Sequence, residues 1–273
     1  MTTGTLGAAR LRALLDKYDV SPRKALSQNF VIDPNTIDKV ITAAGVGPND
    51  RVLEIGSGAG SLTIRLAAAA SHVTSVELDS RLMPVLQEVL GGADNVEVVE
   101  ADALHFDLAR VDANLLVANL PYNIAATVVL RVLTETDHIR ALTVMTQKEV
   151  GERLTAGAGS KTYGQTSVMV AYFGRARIAG RVSKNAFWPI PSVDSVIVKI
   201  ERSEPPDVDR AVLFAVVRAA FSQRRKTQRN SLSTLAGSAA EAEVAHRDAG
   251  LDPALRAEQV DLGGFLALAR SLA

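Results

Sequence analysis

The stretch "VANLPYNIA" (117–125) places Asn119, Leu120, Pro121 and Tyr122 directly after the apolar run Leu115–Ala118. Asn and Pro punctuate turns, so a plain loop accounts for them. The other reading is a site for an exocyclic amine on a nucleobase. The lone pair of such a nitrogen is delocalised into the ring and must be drawn toward tetrahedral geometry before it can take a methyl group. Two acceptors, one on each N–H, do this. Asn119 offers its side-chain oxygen, and a turn stiffened by Pro121 can aim the backbone carbonyl of Leu120. Tyr122 can stack on the base and hold it in line. No strong base is required, because attack makes the nitrogen acidic enough to lose its proton to solvent.

A second constellation lies upstream. "VLEIGSGAGSLTIRLA" sets Gly56, Gly58 and Gly60 between a strand-like run and a helix-like one. Glycine lets the chain turn sharply and lets a ligand approach the backbone, and the next helix turns its first amides toward an anionic group. Glu77 follows at the end of the next strand-like run, where a doubly wound sheet places a carboxylate for ribose hydroxyls. Asp102 ends the third run and can accept an adenine amine. The spacing is G-x-G-x-G, with Ser61 where the third glycine of a dinucleotide fingerprint would stand. That favours S-adenosylmethionine, which has no pyrophosphate, over a nicotinamide cofactor. A tight turn alone would also explain the glycines.

These residues need a frame. Valine-rich runs at 51–55, 72–78, 96–102, 114–119 and 141–147 alternate with helix-length stretches at 61–70, 80–90, 124–134 and 148–156. Alternation of this kind predicts right-handed crossovers and a parallel sheet, with the candidate residues at its carboxyl edge. Two further strands are expected at 176–182 and 195–201, and a linker in "ERSEPPDVD" (201–209), followed by short helices. The first residues predict a surface helix with Leu6, Leu11, Leu14 and Leu15 on its buried side. No run of 18 apolar residues predicts a membrane span. The absence of cysteine excludes disulfides, thiolate metal sites and a cysteine nucleophile. The four histidines, 72, 105, 138 and 246, have no ligand spacing, so no metal is expected.

A formal net charge of zero conceals segregation. Residues 77–112 hold nine acidic and two basic side chains, 140–184 hold eight basic and two acidic, and 218–230 hold five basic and no acidic. Each block alone reads as solvated surface. The two basic blocks together suggest a polyanionic partner whose phosphates they would contact.

The segments "KALSQNFVID" (24–33), "EIGSGAGSLT" (54–63), "VELD" (76–79), "ANLPYNIA" (118–125), "QKEVGERL" (147–154), "SKTYGQTSV" (160–168), "AFWPIPSVDS" (186–195) and "FSQRRKTQRNSL" (221–232) occur in this order. From about residue 18 to the end the chain resembles the ribosomal RNA adenine dimethyltransferase family, in particular its bacterial small-subunit branch. The resemblance implies an α/β fold: a Rossmann-like S-adenosylmethionine-dependent methyltransferase domain with a mostly parallel seven-stranded sheet, spanning 1–203. A small α-helical RNA-binding domain would follow at 208–273. The implied activity is dimethylation of two adjacent adenosines near the 3′ end of 16S rRNA, in the small ribosomal subunit or its precursor. The implied setting is a cytoplasmic monomer without a metal.

Carried over residue by residue, Asn29, Val31, Gly56, Glu77, Asp102 and Asn119 would hold S-adenosylmethionine. Asn119, Leu120, Pro121 and Tyr122 would hold the target adenine, and Phe187 would cover its other face, as a flipped-out base requires. Core packing is the simpler reading of Trp188. Arg224, Arg225, Lys226 and Arg229 would meet RNA phosphates, with Ser222, Gln223 and Gln228 as further contacts, although a solvated helix face also explains a basic run. Ser27 and Ser57 stand where the small-subunit enzymes more often have glycine and proline, and resemble the 23S rRNA dimethyltransferases of macrolide resistance. That activity, and a non-catalytic ribosome-assembly factor on the same fold, are the alternatives.

Overall fold

The computed structural model describes residues 6–223 and 227–273. The chain opens with α1 (Ala8–Lys17), the two-residue strand β1 (Phe30–Val31) and α2 (Pro34–Ala44). Leu6, Leu11, Leu14 and Leu15 are all buried, as their spacing predicts. α2 begins where Asp33 accepts hydrogen bonds from the amides of Asn35 and Thr36, with Pro34 in its first turn.

The alternating part then follows: β2 (Arg51–Ile55), α3 (Thr63–Ala69), β3 (His72–Glu77), α4 (Met83–Leu90), β4 (Val96–Glu100), β5 (Leu115–Asn119), α5 (Ala125–Glu135), β6 (Ala141–Gln147) and α6 (Lys148–Leu154). After α7 (Gln165–Phe173) come β7 (Gly174–Val182), β8 (Phe187–Trp188) and β9 (Ser195–Arg202). Seven strands form one sheet in the order β4-β3-β2-β5-β6-β9-β7, and β1 pairs with β8 in a separate ladder. β2 through β6 pair in parallel, and β9 runs antiparallel to β6. The sheet is therefore mostly parallel, seven-stranded and Rossmann-like.

Strand order reverses between β2 and β5. Their printed register, Val52 opposite Leu115 and Leu53 opposite Leu116, ends before Glu54 and Val117, so the carboxyl ends separate. A crevice at such a switch point is where open α/β sheets bind ligands. On one face of the sheet α2 and α3 cover a core of Ile37, Val40, Leu66, Val73, Val117 and Ile197. Among the described residues no helix is long and apolar enough to cross a membrane.

The chain divides into two compact units. The first holds the described residues through Gly151 together with Ala176–Arg202 and contains the sheet. The second holds Glu152–Arg175 and the described residues from Ser203 onward: α7, α8 (Arg210–Phe221), α9 (Gln228–Ser231), α10 (Ser233–Ala236), α11 (Ala239–Asp248) and α12 (Leu262–Ser271). Phe214 of α8 meets Tyr172 and Phe173 of α7 edge-on, at centroid distances of 5.6 and 6.0 Å. The Tyr163 hydroxyl donates to the Val260 carbonyl at 2.8 Å. The segment 152–175 thus packs with the later helices, although the sequence pattern sets it before the linker.

Candidate active site

A cavity of about 240 Å³ opens at the carboxyl ends of β2, β3 and β5, entirely within the first unit. Its wall includes Ser27–Val31, the glycine turn, Glu77, Asp102 and Asn119–Ile124. Residues as far apart in sequence as Ser27 and Ile124 therefore meet in one crevice.

The glycine turn is constrained from two sides. Gly56 has φ +80°, and a Cβ there would lie 3.4 Å from Pro121 Cδ and 3.5 Å from the Asn119 carbonyl. The turn after β2 is thus in contact with the turn after β5. Gly58 has φ +56°, and a Cβ would sit 3.1 Å from the Phe30 ring. Its N–H donates to Glu77 Oε2 at 2.7 Å, and the Asp79 N–H donates to Glu77 Oε1 at 2.9 Å. Each carboxylate oxygen keeps a lone pair for a ribose hydroxyl. Burial raises the Glu77 pKa, against the opposing pull of the two amides. Next to it, the Arg81 guanidinium and then Gln28 hold Asp79 down to about 2. Gln28 Nε2 donates to Asp79 at 2.9 Å, tying the segment before β1 to the end of β3.

Asp102 lines the cavity after β4. It accepts from the Leu104 amide at 2.9 Å and faces His105 Nδ1 at 3.0 Å, and the amide is the main reason its pKa is lowered. Val31 is buried and also lines the cavity. Asn29 donates through Nδ2 to the Ser27 carbonyl at 3.0 Å, while its own carbonyl receives Asn119 Nδ2 at 3.3 Å.

That contact fixes the Asn119 amide with its nitrogen turned away, and Asn119 Oδ1 is buried without a hydrogen-bond partner. A buried, unpaired amide oxygen costs roughly 1–3 kcal/mol. The Leu120 N–H is taken by the Met145 carbonyl at 3.0 Å, and Pro121 contributes its carbonyl to Ile124 at 3.2 Å, opening α5. Among the described residues the Leu120 carbonyl accepts no hydrogen bond. Tyr122 is half-buried, and its hydroxyl pairs with Ser195 Oγ at the start of β9, at 2.7 Å. Burial raises its pKa.

Two groups of residues escaped the sequence reading. Ser195 pins the Tyr122 ring from a strand 73 positions away; it falls within a quoted segment, but only the fold gives it a partner. Beneath the glycine turn, Ser57 Oγ lies 2.6 Å from Ser75 Oγ, which donates to Glu54 Oε2 at 2.5 Å. Ser57 therefore faces inward toward a buried carboxylate. Ser27 has φ +53°, a conformation glycine adopts most easily, which accounts for glycine being common there.

Phe187 is not brought to the cavity. It is 1% exposed, pairs with Val31 across the β1–β8 ladder and packs into the core of the first unit. Trp188 is half-buried with the Arg12 guanidinium 5.3 Å from its ring centroid, a packing role. In the second unit, Arg229 faces Glu243 at 3.3 Å and Gln228 is 1% exposed, so Gln228 points inward rather than toward a phosphate. Arg224, Arg225 and Lys226 lie outside the described residues. Among the described residues no cluster of three or more His, Cys, Asp and Glu could hold a metal ion.

The donor set fits S-adenosylmethionine. Positive-φ glycines that leave the turn's backbone bare, a strand-end carboxylate with spare lone pairs and an unpaired Asn oxygen converge on one cavity.

Comparison with known proteins agrees with this geometry. A family model described as ribosomal RNA adenine dimethylase matches residues 20–273. The chain is 45% identical to the ribosomal RNA small subunit methyltransferase A of Corynebacterium efficiens, over 97% of this chain and 95% of that protein. Among solved structures, a dimethyladenosine transferase from Plasmodium falciparum superposes with a TM-score of 0.75 at 26% identity, covering 88% and 95% of the two chains. The 23S rRNA methyltransferase ErmE superposes with a TM-score of 0.70 at 29% identity, covering 89% and 99%.

Proposed function

The chain belongs to the ribosomal RNA adenine dimethylase family, and on that premise we propose that it dimethylates the exocyclic amines of two adjacent adenosines near the 3′ end of 16S rRNA, in the small ribosomal subunit or its precursor. S-adenosylmethionine, when bound, supplies an electrophilic methyl group on a sulfonium. The protein acts as a cytoplasmic monomer and uses no metal.

Glu77 would take the ribose, Asp102 the adenine amine, and the Gly56–Gly58 backbone would leave room for the cofactor. Asn29 holds Asn119 by its carbonyl, so that Asn119 Oδ1 is directed away from it. Asn119 Oδ1 and the Leu120 carbonyl then accept the two N–H groups of the target amine and draw its lone pair out of the ring. A nitrogen held in this way would lose its extra proton to solvent, so no strong base is needed beside Asn119. Tyr122, pinned by Ser195, carries the base. A second face for the base at Phe187 would require that ring to leave its buried position. RNA phosphates would be met by Arg224, Arg225, Lys226 and Arg229.

The observation that carries this reading is the buried, unpartnered Asn119 Oδ1 on the cavity wall, a group that costs stability until something donates to it. Replacing one oriented charge-stabilising group in an active site typically lowers kcat by about 10²–10³. Asn119→Ala should lose activity on that scale toward small subunits lacking the modification and keep most RNA affinity. Unchanged turnover would remove Asn119 from the chemistry.

The macrolide-resistance activity drew support from Ser27 and Ser57. Ser57 meets Ser75 beneath the turn, and Ser27 stands at positive φ, so each has a local structural role apart from RNA choice. The name of the Corynebacterium relative supports the small-subunit substrate.

A further inference from the structure

β7 is the outermost strand on one side of the sheet. Exposed edges attract unwanted pairing, and charged side chains are an ordinary defence against it. Defence explains Arg177 and Arg181 on this strand, but not Ile178 between them, which is 40% exposed. Ile190 at 61% and Val193 at 42% continue the pattern, so three of the four exposed large apolar residues described in the first unit fall within residues 178–193.

Several cations of the unit are committed to ion pairs. Arg51, Arg65, Arg81, Arg131 and Arg140 each pair with a carboxylate. Arg177, Arg181 and Lys184 are exposed, and their side chains make no ion pair or hydrogen bond among the described residues. Asp194, the nearby acid, uses Oδ1 on the Lys184 backbone amide. From Lys184 the chain enters β8, which pairs with β1, and Ser27–Asn29, immediately before β1, line the cavity. The free cations and exposed apolar side chains therefore lie on the segment that leads to the site.

Single-stranded nucleic acid is held by cations that track its phosphates and by side-chain faces, most often aromatic, against which its bases lie. A protein partner would favour one contiguous apolar patch, whereas here isoleucine and valine are interspersed with unpaired charge. We infer that the β7–β8 segment, through Arg177, Arg181, Lys184 and Ile190, is the docking surface for the single-stranded RNA flanking the target adenosine. This inference rests on the proposed rRNA activity.

The test is the salt dependence of binding between the full chain and a single-stranded RNA oligonucleotide, with Arg177→Gln/Arg181→Gln compared with Arg51→Gln. Arg51 lies at the opposite end of β2 and pairs with Asp112. Each lost phosphate contact on a single strand flattens the slope of log K against log salt by about 0.7. The double variant should therefore flatten it by about 1.4 and weaken binding at least tenfold at low salt, with the melting temperature and S-adenosylmethionine affinity unchanged. Arg51→Gln should leave the slope as it is. Ile190→Ser should weaken binding without altering the slope. A double variant with the original slope, or an equal effect from Arg51→Gln, overturns the surface. No salt-dependent RNA binding by the unsubstituted protein overturns the RNA reading itself.

Discussion

Glu54 is the penultimate residue of β2 and is 1% exposed. Its Oε2 receives Ser75 Oγ, and its Oε1 has no partner. Burial raises its pKa from 4.5 to about 7; the Ser75 and Thr63 hydroxyls oppose that rise and the charge of Glu77 adds to it. Below pH 4.5 the carboxyl is protonated in both folded and unfolded chains and carries no penalty. As pH climbs from 4.5 toward 7 the unfolded chain ionises first, so stability falls through this window and levels off above it. A rise of that size corresponds to about 3 kcal/mol at 1.36 kcal/mol per unit. Glu54→Gln removes the titration while leaving an oxygen for Ser75. Denaturant unfolding of both proteins at pH 4.5 and pH 8 measures the effect as a difference of differences, in which titrating groups that do not interact with Glu54 cancel. The glutamine variant should gain about 3 kcal/mol on the parent between the two pH values. An equal stability gap at both would show that Glu54 titrates alike in the folded and unfolded chains and would refute the account of a penalised carboxyl beneath the cofactor turn.

Tyr122→Ala removes the stacking surface and should lower kcat/KM about 10- to 100-fold with S-adenosylmethionine affinity retained, because base–aromatic stacking contributes about 1–3 kcal/mol; Tyr122→Phe should lose much less, since only the bond to Ser195 goes. Gly58→Ala places a Cβ at positive φ and 3.1 Å from Phe30, so calorimetry should record weaker cofactor binding and denaturation a loss of about 1–2 kcal/mol. Gly151→Ala would drive a Cβ into Val196 Cγ2 and should destabilise by about 1–3 kcal/mol; combining it with Val196→Ala should recover part of the loss.

Much of this architecture is legible in the sequence because a buried parallel sheet needs continuous apolar strands, and β2, β3, β5 and β6 are such runs. Their ends carry the chemistry, so Gly56, Glu77 and Asn119 could be assigned to one crevice before any coordinates. α7 was not legible. Val168, Met169, Val170, Tyr172 and Phe173 are all buried, so the helix has no polar face and no helical period to detect. The β1–β8 ladder is two residues long on each side, too short for any alternation to register. Phe187 illustrates the limit of a motif: the segment is recognisable, but which way the ring points depends on the ladder that holds it. The Ser195 and Ser75 hydroxyls matter only through partners that the fold brings to them.

The central claim is a reaction on a particular RNA, and one assay tests both. Labelled S-adenosylmethionine is incubated with the protein and, separately, small ribosomal subunits lacking the modification and unmodified 23S rRNA. The account predicts dimethyladenosine at two adjacent positions near the 3′ end of 16S rRNA and none in 23S rRNA. Label in 23S rRNA alone, or in neither RNA, would contradict it.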